Sequence, residues 1–516
     1  MPVILKLGSR RSLLAMAQSS QIARAIEAGN PDMQVEIVGI DTQGDRVLDV
    51  PLSKIEGKEF FVAELDQALI RGEVDLTVHS MKDLSLERPP EITLAAVPPR
   101  ENPRDVVLFA KDILERLSSG QSIRVGTSSP RRIENVLPFL HRALPQADNT
   151  PELTAREIRG NVNTRIGLLA LDDADPKRVD AVVLAFAGLK RLWDDEQGRA
   201  ELTRLTADLR WMVLPLNLCP AAPAQGALAV ECRTADDATR KLLGTLHDEQ
   251  TAADVAAERE ILDAWGGGCH QRFGATRVRY PDLGSLLYIK GQKPDGSDVD
   301  ELRWQSGRQA PAAVVNAWDG TEWREQSFAA DYSATPELPE WWHEPTAMFV
   351  AHSRALPEGW QCAPESSQRI WTSGTSSWFR LAARGFWVEG CAEEMGYAAV
   401  RPLLAEPLLR LPAAADWQVL SHSDAAHTWT EEQVLPTYTV SAVETLSESH
   451  PVVAALQGAE AAFWSSASQY EALKDWVPAG CRHACRYGKT YYALLDQGLE
   501  VAVYPGVEQW RKAVIK

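Results

Sequence analysis

From residue 1 to about 230, short apolar runs bounded by turn residues alternate with stretches whose apolar positions recur every three or four residues. The first pattern reads as buried strand and the second as helix. Strands are predicted at Val3–Leu7, Val35–Ile40, Asp75–Val78, Val106–Phe109, Ile123–Val125 and Ala181–Ala185. Helices are predicted at Ser12–Ala28, Val62–Arg71, Ile133–Leu140 and Val162–Leu171. Such alternation implies an α/β fold with a largely parallel sheet. Two strand–turn–helix units resemble each other. Gly8-Ser9-Arg10-Arg11-Ser12 follows one strand, and Gly126-Thr127-Ser128-Ser129-Pro130-Arg131-Arg132 follows another. Both place glycine, hydroxyls and paired arginines at a helix start. That pattern predicts two similar lobes sharing an anionic ligand at the carboxyl ends of their strands.

The pattern changes after residue 230. A helix at Thr251–Ala264 runs into Gly266-Gly267-Gly268-Cys269, and strands follow at Ala275–Tyr280 and Ser285–Lys290. This reads as a small α+β domain. Residues 331–345, with Pro336, Pro339 and Pro345 among acidic residues, read as a linker. The chain then resumes as α/β. Ile370 to Thr375 leads into a helix ending near Arg384-Gly385, and Cys485 to Thr490 into one ending at Gln497-Gly498. Glycine closes both helices, as at a helix C-terminus.

Composition narrows the function. At 516 residues the chain is too long for one core. A net charge of −18 argues against a nucleic-acid protein, so the arginine-rich turns must act locally on a small anion. No apolar run approaches a membrane span, and the N-terminus lacks a signal-peptide plan, so a cytoplasmic location is expected. Seven cysteines, an odd number, do not suggest a disulfide framework. Cys481-Arg482-His483-Ala484-Cys485 lacks a second ligand pair, so no metal is expected.

The candidate chemistry lies in the turns. Ser129 stands where an N-cap belongs and Pro130 at the first helical position, leaving free N–H groups at the positive end of the helix dipole. Arg131 and Arg132 add planar forks that match carboxylate or phosphate geometry. A capped surface helix with solvated arginines fits the same residues. Lys82 and Asp83, in His79-Ser80-Met81-Lys82-Asp83, come directly after the strand ending at Val78. An ionised carboxylate there can stabilise a developing positive charge, and a surface ion pair is the alternative. Arg159-Gly160-Asn161-Val162-Asn163-Thr164-Arg165 is a third basic turn, or a solvated helix end. Cys269, after three glycines and before His270, offers a reachable thiol.

These motifs, with Thr42-Gln43-Gly44-Asp45, Leu184 to Arg191 and Gly267-Gly268-Cys269, resemble the porphobilinogen deaminase (hydroxymethylbilane synthase) family, in the family's order over residues 1–330. The resemblance implies two periplasmic-binding-protein-like lobes plus a small α+β domain. The implied boundaries are residues 1–98 with 206–226, residues 99–205, and residues 227–330. It implies a dipyrromethane cofactor on Cys269 and four porphobilinogen molecules joined into a linear tetrapyrrole. Asp83 and Lys82 would be catalytic, and Lys82, Asp83, Ser129, Arg131 and Arg132 would hold the cofactor. Arg10, Ser12, Lys54, Lys58, Thr127, Ser128, Arg159 and Arg165 would bind substrate carboxylates. Two stretches depart from the family pattern. His270-Gln271-Arg272-Phe273-Gly274 stands where a proline and an aliphatic residue are usual, and Glu59 in Gly57-Lys58-Glu59-Phe60-Phe61 replaces a small residue.

Residues 346–516 more weakly resemble uroporphyrinogen-III synthase, through Phe463-Trp464-Ser465-Ser466-Ala467, Tyr487-Gly488-Lys489-Thr490 and Pro436-Thr437-Tyr438. That resemblance implies a flavodoxin-like two-lobed region and a bifunctional enzyme with substrate hand-over between its halves. Candidate residues are Tyr438, Ser465, Ser466, Gly488 and Thr490. A degenerate docking or stabilising domain is the alternative for this region. A non-catalytic two-lobed anion receptor is the alternative for the first.

Overall fold

The computed structural model describes residues 3–42, 62–146, 152–266, 271–307, 313–320, 323, 328–331, 339, 342, 346–360, 368–423, 429, 433–442 and 446–515. The chain divides into two compact units. Residues 1–142, 147–277 and 287–302 form the first; residues 143–146, 278–286 and 303–516 form the second.

The first unit holds two five-stranded sheets of matching design. Strands β1 (Val3–Arg10), β2 (Met33–Ile40), β3 (Leu76–Ser80), β4 (Ile92–Ala96) and β10 (Leu228–Arg233) form one, ordered β2-β1-β3-β10-β4. Strands β5 (Asp105–Phe109), β6 (Ile123–Gly126), β7 (Leu153–Arg156), β8 (Ala181–Ala185) and β9 (Arg210–Val213) form the other, ordered β7-β6-β8-β5-β9. In each, the fourth strand of the order runs antiparallel to both neighbours. That strand is the one delivered after the chain crosses from the other lobe: β5 follows β4, and β10 follows β9. The predicted helices are present. Leu13–Gly29 is capped by Ser12, and Pro130–Ala143 begins on Pro130. All five residues of β5 are buried, as in a central strand covered on both faces.

The sequence-based boundaries need correction here. Residues 206–226 were expected in the first lobe and 227 onward in the third domain. Instead β9 pairs with β5 in the second sheet, and β10 lies between β3 and β4 in the first. The first lobe takes β10 from beyond the second, whose five strands are consecutive in the chain, and no local periodicity announces such a return. A further sheet, β11 (Arg272–Tyr280), β12 (Gly284–Gln292) and β13 (Asp298–Ser306), follows in that order. Its core residues Phe273, Ala275, Leu287, Ile289 and Val299 pack with Ile261 of the helix Glu249–Ala264.

The second unit contains two sheets. Strands β14 (Ala317–Trp318), β21 (Ala461–Trp464), β22 (Arg482–Arg486) and β23 (Val501–Tyr504) run parallel in the order β14-β21-β22-β23. The other sheet comprises β15 (Phe328–Asp331), β16 (Ala347–Val350), β17 (Arg369–Thr372), β18 (Val388–Cys391), β19 (Gln418–His422) and β20 (Gln433–Ala442), ordered β15-β20-β19-β16-β17-β18. Two expectations change. Residues 314–330 were placed in the third deaminase domain and Asp331 in the linker, yet Val314 bridges Ile515, β14 pairs with β21, and β15 pairs with β20. The expected flavodoxin-like order 2-1-3-4-5 is also not what the parallel strands β16–β20 adopt. Counted from β16 they run 3-2-1-4-5, because β18 adds outside β17 instead of returning beside β16. Among the described residues no helix is long and apolar enough to cross a membrane.

Candidate active site

The candidate residues of the first unit gather at the carboxyl ends of parallel strands, where α/β sheets bind ligands. Arg10 ends β1. Ser12 caps the following helix, its hydroxyl accepting from Ala15 N at 3.3 Å. Gln18, buried on that helix, donates to Ser80 Oγ at 2.8 Å. After β3 the chain makes one 3-10 turn, Met81–Asp83. Met81 anchors it. Its N–H donates to Ala227 O at 3.0 Å, and its side chain is buried with Leu84, Val97, Ala227 and Val255. Lys82 and Asp83 are thereby aimed by apolar packing. Asp83 is exposed, and Lys82 donates to Gln225 Oε1 at 3.2 Å. Burial pushes the Lys82 ammonium below its ordinary range, with Asp83 opposing.

In the second lobe the turn after β6 is tied down by hydrogen bonds. Thr127 N donates to Arg156 O at 2.9 Å, Ser129 N donates to Thr127 Oγ1 at 3.2 Å, and the Ser128 hydroxyl donates to Ile158 O. The Ser129 hydroxyl faces Arg132 N at 3.5 Å. Arg131 and Arg132 are not solvated; they are 3% and 7% exposed. Both turn onto Asp105. Arg131 Nη2 donates to Oδ2 at 2.8 Å; Arg132 donates to Oδ1 at 2.7 Å and Oδ2 at 3.3 Å. Pro220 O and Val183 O accept from Arg131 and Arg132 at 3.0 and 2.7 Å. Burial raises the Asp105 carboxyl, but the two guanidiniums outweigh it and hold the group well below the usual range.

Asn161 caps the helix Val162–Gly167, its side chain accepting from Thr164 N at 2.9 Å. Arg165 Nε donates to Gly160 O at 2.8 Å. Burial pushes Arg165 down to about 10; Arg132 and Arg159 act the same way and Asp83 opposes them. Residues of both lobes therefore act in one electrostatic site. Gln225 joins them, accepting from Lys82 and donating to Asp105 Oδ1 at 2.9 Å.

Asp105, Gln225 and Gln18 were missed in the sequence. Asp105 carries a faint signal, a carboxylate heading the uninterrupted apolar run Val106–Phe109; Gln225 and Gln18 carry none. Cys269, Lys54 and Lys58 lie outside the described residues, as do Gly57 to Phe61 and His270. A second polar cluster, behind β3, joins Asp66, His79, Arg88 and Glu231. The ligand atoms of Asp66, His79 and Glu231 lie within 4.8 Å of one another. Arg88 Nη2 donates to Asp66 at 2.6 Å and Glu231 at 2.7 Å, supplying the positive charge a metal would bring. Burial pushes His79 down to about 4, so its 3.5 Å approach to Glu231 is not an ion pair near pH 7.

A family model described as porphobilinogen deaminase, dipyromethane cofactor binding domain, matches residues 5–241. Porphobilinogen deaminase of Syntrophotalea carbinolica is 40% identical over 308 residues, covering 60% of this chain and 89% of that protein. The chain belongs to the porphobilinogen deaminase family. The deaminases of Sorangium cellulosum and Acidothermus cellulolyticus are 37% and 44% identical, covering 65% and 53% of this chain and 98% and 75% of theirs. The crystal structure of YhfZ from Shigella flexneri, at 16% identity, covers 51% of this chain and 90% of its own with a TM-score of 0.24, too slight to bear on fold or function.

The matched deaminase model is that of the cofactor-binding domain, and the residues present fit the group. A dipyrromethane bears acetate and propionate carboxylates. Within the site, Lys82, Arg131, Arg132 and Arg165 outnumber Asp83 and Asp105. Among the described residues Arg131 Nε is a buried donor without a partner, although buried donors are nearly always paired. The deaminase site thus holds more fixed positive charge than its own carboxylates neutralise.

Of the candidates beyond the deaminase unit, Ser465 and Ser466 follow β21, and both are engaged by Gln469. Ser465 Oγ donates to Gln469 Oε1 at 2.8 Å, and Ser466 Oγ accepts from Gln469 N at 3.1 Å. Gly488 (φ +115°) stands where a Cβ would lie 3.2 Å from Met395 O. Thr490 lies on the short helix Lys489–Leu495 that follows. Tyr438 is buried on β20 beside His422, with ring centroids 5.8 Å apart. Burial raises the Cys481 and Cys485 thiols to about 11 and 12, so both stay protonated.

Proposed function

We propose that the first unit joins four porphobilinogen molecules on a dipyrromethane attached through Cys269, releasing four ammonia molecules, and that one water molecule then hydrolyses the product off as hydroxymethylbilane. The observation that carries this reading is the surplus of fixed cations around Asp83. Each added ring brings two carboxylates, so a growing chain needs many fixed donors. When bound, dipyrromethane supplies the free pyrrole α-carbon that acts as nucleophile. Asp83 accepts from pyrrole N–H groups and stabilises the positive charge that develops as ammonia leaves. Lys82, held by Gln225, and Arg131 and Arg132, held by Asp105, present preorganised charge to cofactor carboxylates, with Ser129. Arg10, Ser12, Lys54, Lys58, Thr127, Ser128, Arg159 and Arg165 bind the acetate and propionate groups of incoming and attached rings. The intact mass of the full-length protein tests this. Two linked pyrroles added at Cys269, and lost in Cys269→Ser, are expected; an unmodified protein that turns over overturns it.

For the second unit we propose cyclisation of hydroxymethylbilane to uroporphyrinogen III, with hand-over of the linear product from the first. Two α/β lobes with Ser465, Ser466, Gly488 and Thr490 after the carboxyl ends of β21 and β22 support it, and Tyr438 lies on the other sheet. The capture of both serine hydroxyls by Gln469 favours a second reading, a stabilising domain without catalysis. The product isomer decides: type III from full-length protein supports the synthase, and type I alone sinks it.

A further inference from the structure

In the six-stranded sheet of the second unit, strand order reverses at β16: β17 and β18 extend one way, β19 and β20 the other. Loops leaving neighbouring strands at such a reversal diverge and open a crevice beyond their carboxyl ends. The strands concerned are β16 and β19. Their last paired residues are Val350 and Leu420, so His352 and His422 stand side by side, each two residues further on.

The loop after β16 is built to hold its shape. Ser353 N donates to Ser377 Oγ at 3.2 Å, and Arg380 Nη1 donates to Ser353 Oγ at 3.4 Å. Both partners lie on the helix Thr375–Ala383. His352 Nδ1 accepts from Arg354 N at 3.1 Å, which leaves Nε2–H of the neutral ring as a donor. Burial and then Arg354, Arg380 and His422 push His352 down to about 4, and no carboxylate offsets them. Among the described residues no carboxylate forms an ion pair with Arg354 or Arg380, and both side chains are exposed. The nearby acid Glu394 is taken by Arg486.

We propose that this crevice binds a small organic oxyanion, carboxylate or phosphate, between Arg354, Arg380 and the His352 imidazole, with His422 and Tyr438 on its far wall. Guanidinium forks match both anions, and the imidazole N–H adds a third donor. The site stands whether or not the second unit cyclises a tetrapyrrole, and none of its residues belongs to the first unit.

Full-length protein with 13C-labelled histidines tests it. His352 and His422 signals are identified by their loss in His352→Asn and His422→Asn. Tricarballylate and inorganic phosphate are titrated separately. A saturable shift of both signals with either probe is expected, and the responding probe tells carboxylate from phosphate. In the Arg354→Ala/Arg380→Ala variant, whose exposed positions leave the other histidine signals in place, binding should weaken roughly tenfold or more. Silence with both probes, or a shift that the double variant retains, overturns the site.

Discussion

Asp105 grips Arg132 with both carboxylate oxygens, Oδ1 at 2.7 Å and Oδ2 at 3.3 Å, inside a lobe where both residues are buried. Arg131 shares the same carboxylate. Removing it leaves two buried guanidiniums facing each other. Asp105→Ala should cost about 3–5 kcal/mol in urea unfolding, as for breaking a buried charge pair. The depressed carboxyl contributes stability above its unfolded value near about 3.9 and loses it as pH falls. Wild type and Asp105→Asn should therefore differ at pH 7 and converge below about pH 4.

Asp83 is exposed and buries nothing, so its replacement separates chemistry from folding. Asp83→Ala should reduce porphobilinogen turnover by at least about 100-fold. Its stability should stay within about 0.5 kcal/mol of wild type. Normal activity in this variant removes Asp83 from the mechanism.

His79 makes the fold acid-sensitive from behind the site. Below about pH 6.5 an unfolded chain takes up a proton that the buried imidazole refuses until about 4. Stability should fall across that window, by about 3 kcal/mol at its lower end, and return as pH rises. Asp66, Glu231 and Arg88 face the ring, and His79→Gln should flatten the slope. Equal unfolding free energies from urea titrations at pH 4.5 and 6.5 would refute the assignment.

Gly226 lies in the second crossing between the lobes, at φ +91°. A Cβ there would lie 2.4 Å from Glu101 O, in the first crossing. Gly226→Ala should destabilise by more than about 2 kcal/mol. Gly72→Ala, at φ +72° with open space around it, should cost about 1 kcal/mol. Equal melting shifts for the two variants would show that contact between the crossings is unimportant.

What could be read from the chain was local. Ser12 and Pro130 mark helix starts because caps and first-turn prolines act within four residues. Lys82, Asp83, Arg131 and Arg132 were legible as a set because they follow strands directly. The burial of Arg131 and Arg132 was not: Asp105 meets Arg131 and Gln225 across a fold that periodicity cannot measure. The return of β10 to the first sheet escaped for the same reason, since pairing partners leave no trace in a strand's own alternation. The departure from flavodoxin order arises where β18 is added, a choice of edge that similar apolar runs do not encode.

The bridge between Val314 and Ile515 sets an order of events during synthesis. Domains form as the chain emerges, and contacts between distant segments come late. The two sheets of the deaminase unit have all their strands once Arg233 has been made. The lobe holding β14 must wait, with one edge strand in place and its partners unmade, until β21–β23 and the residue that bridges Val314 leave the ribosome. During that interval a nascent chain already contains the catalytic lobes, while the sheet that begins at β14 is still an open edge.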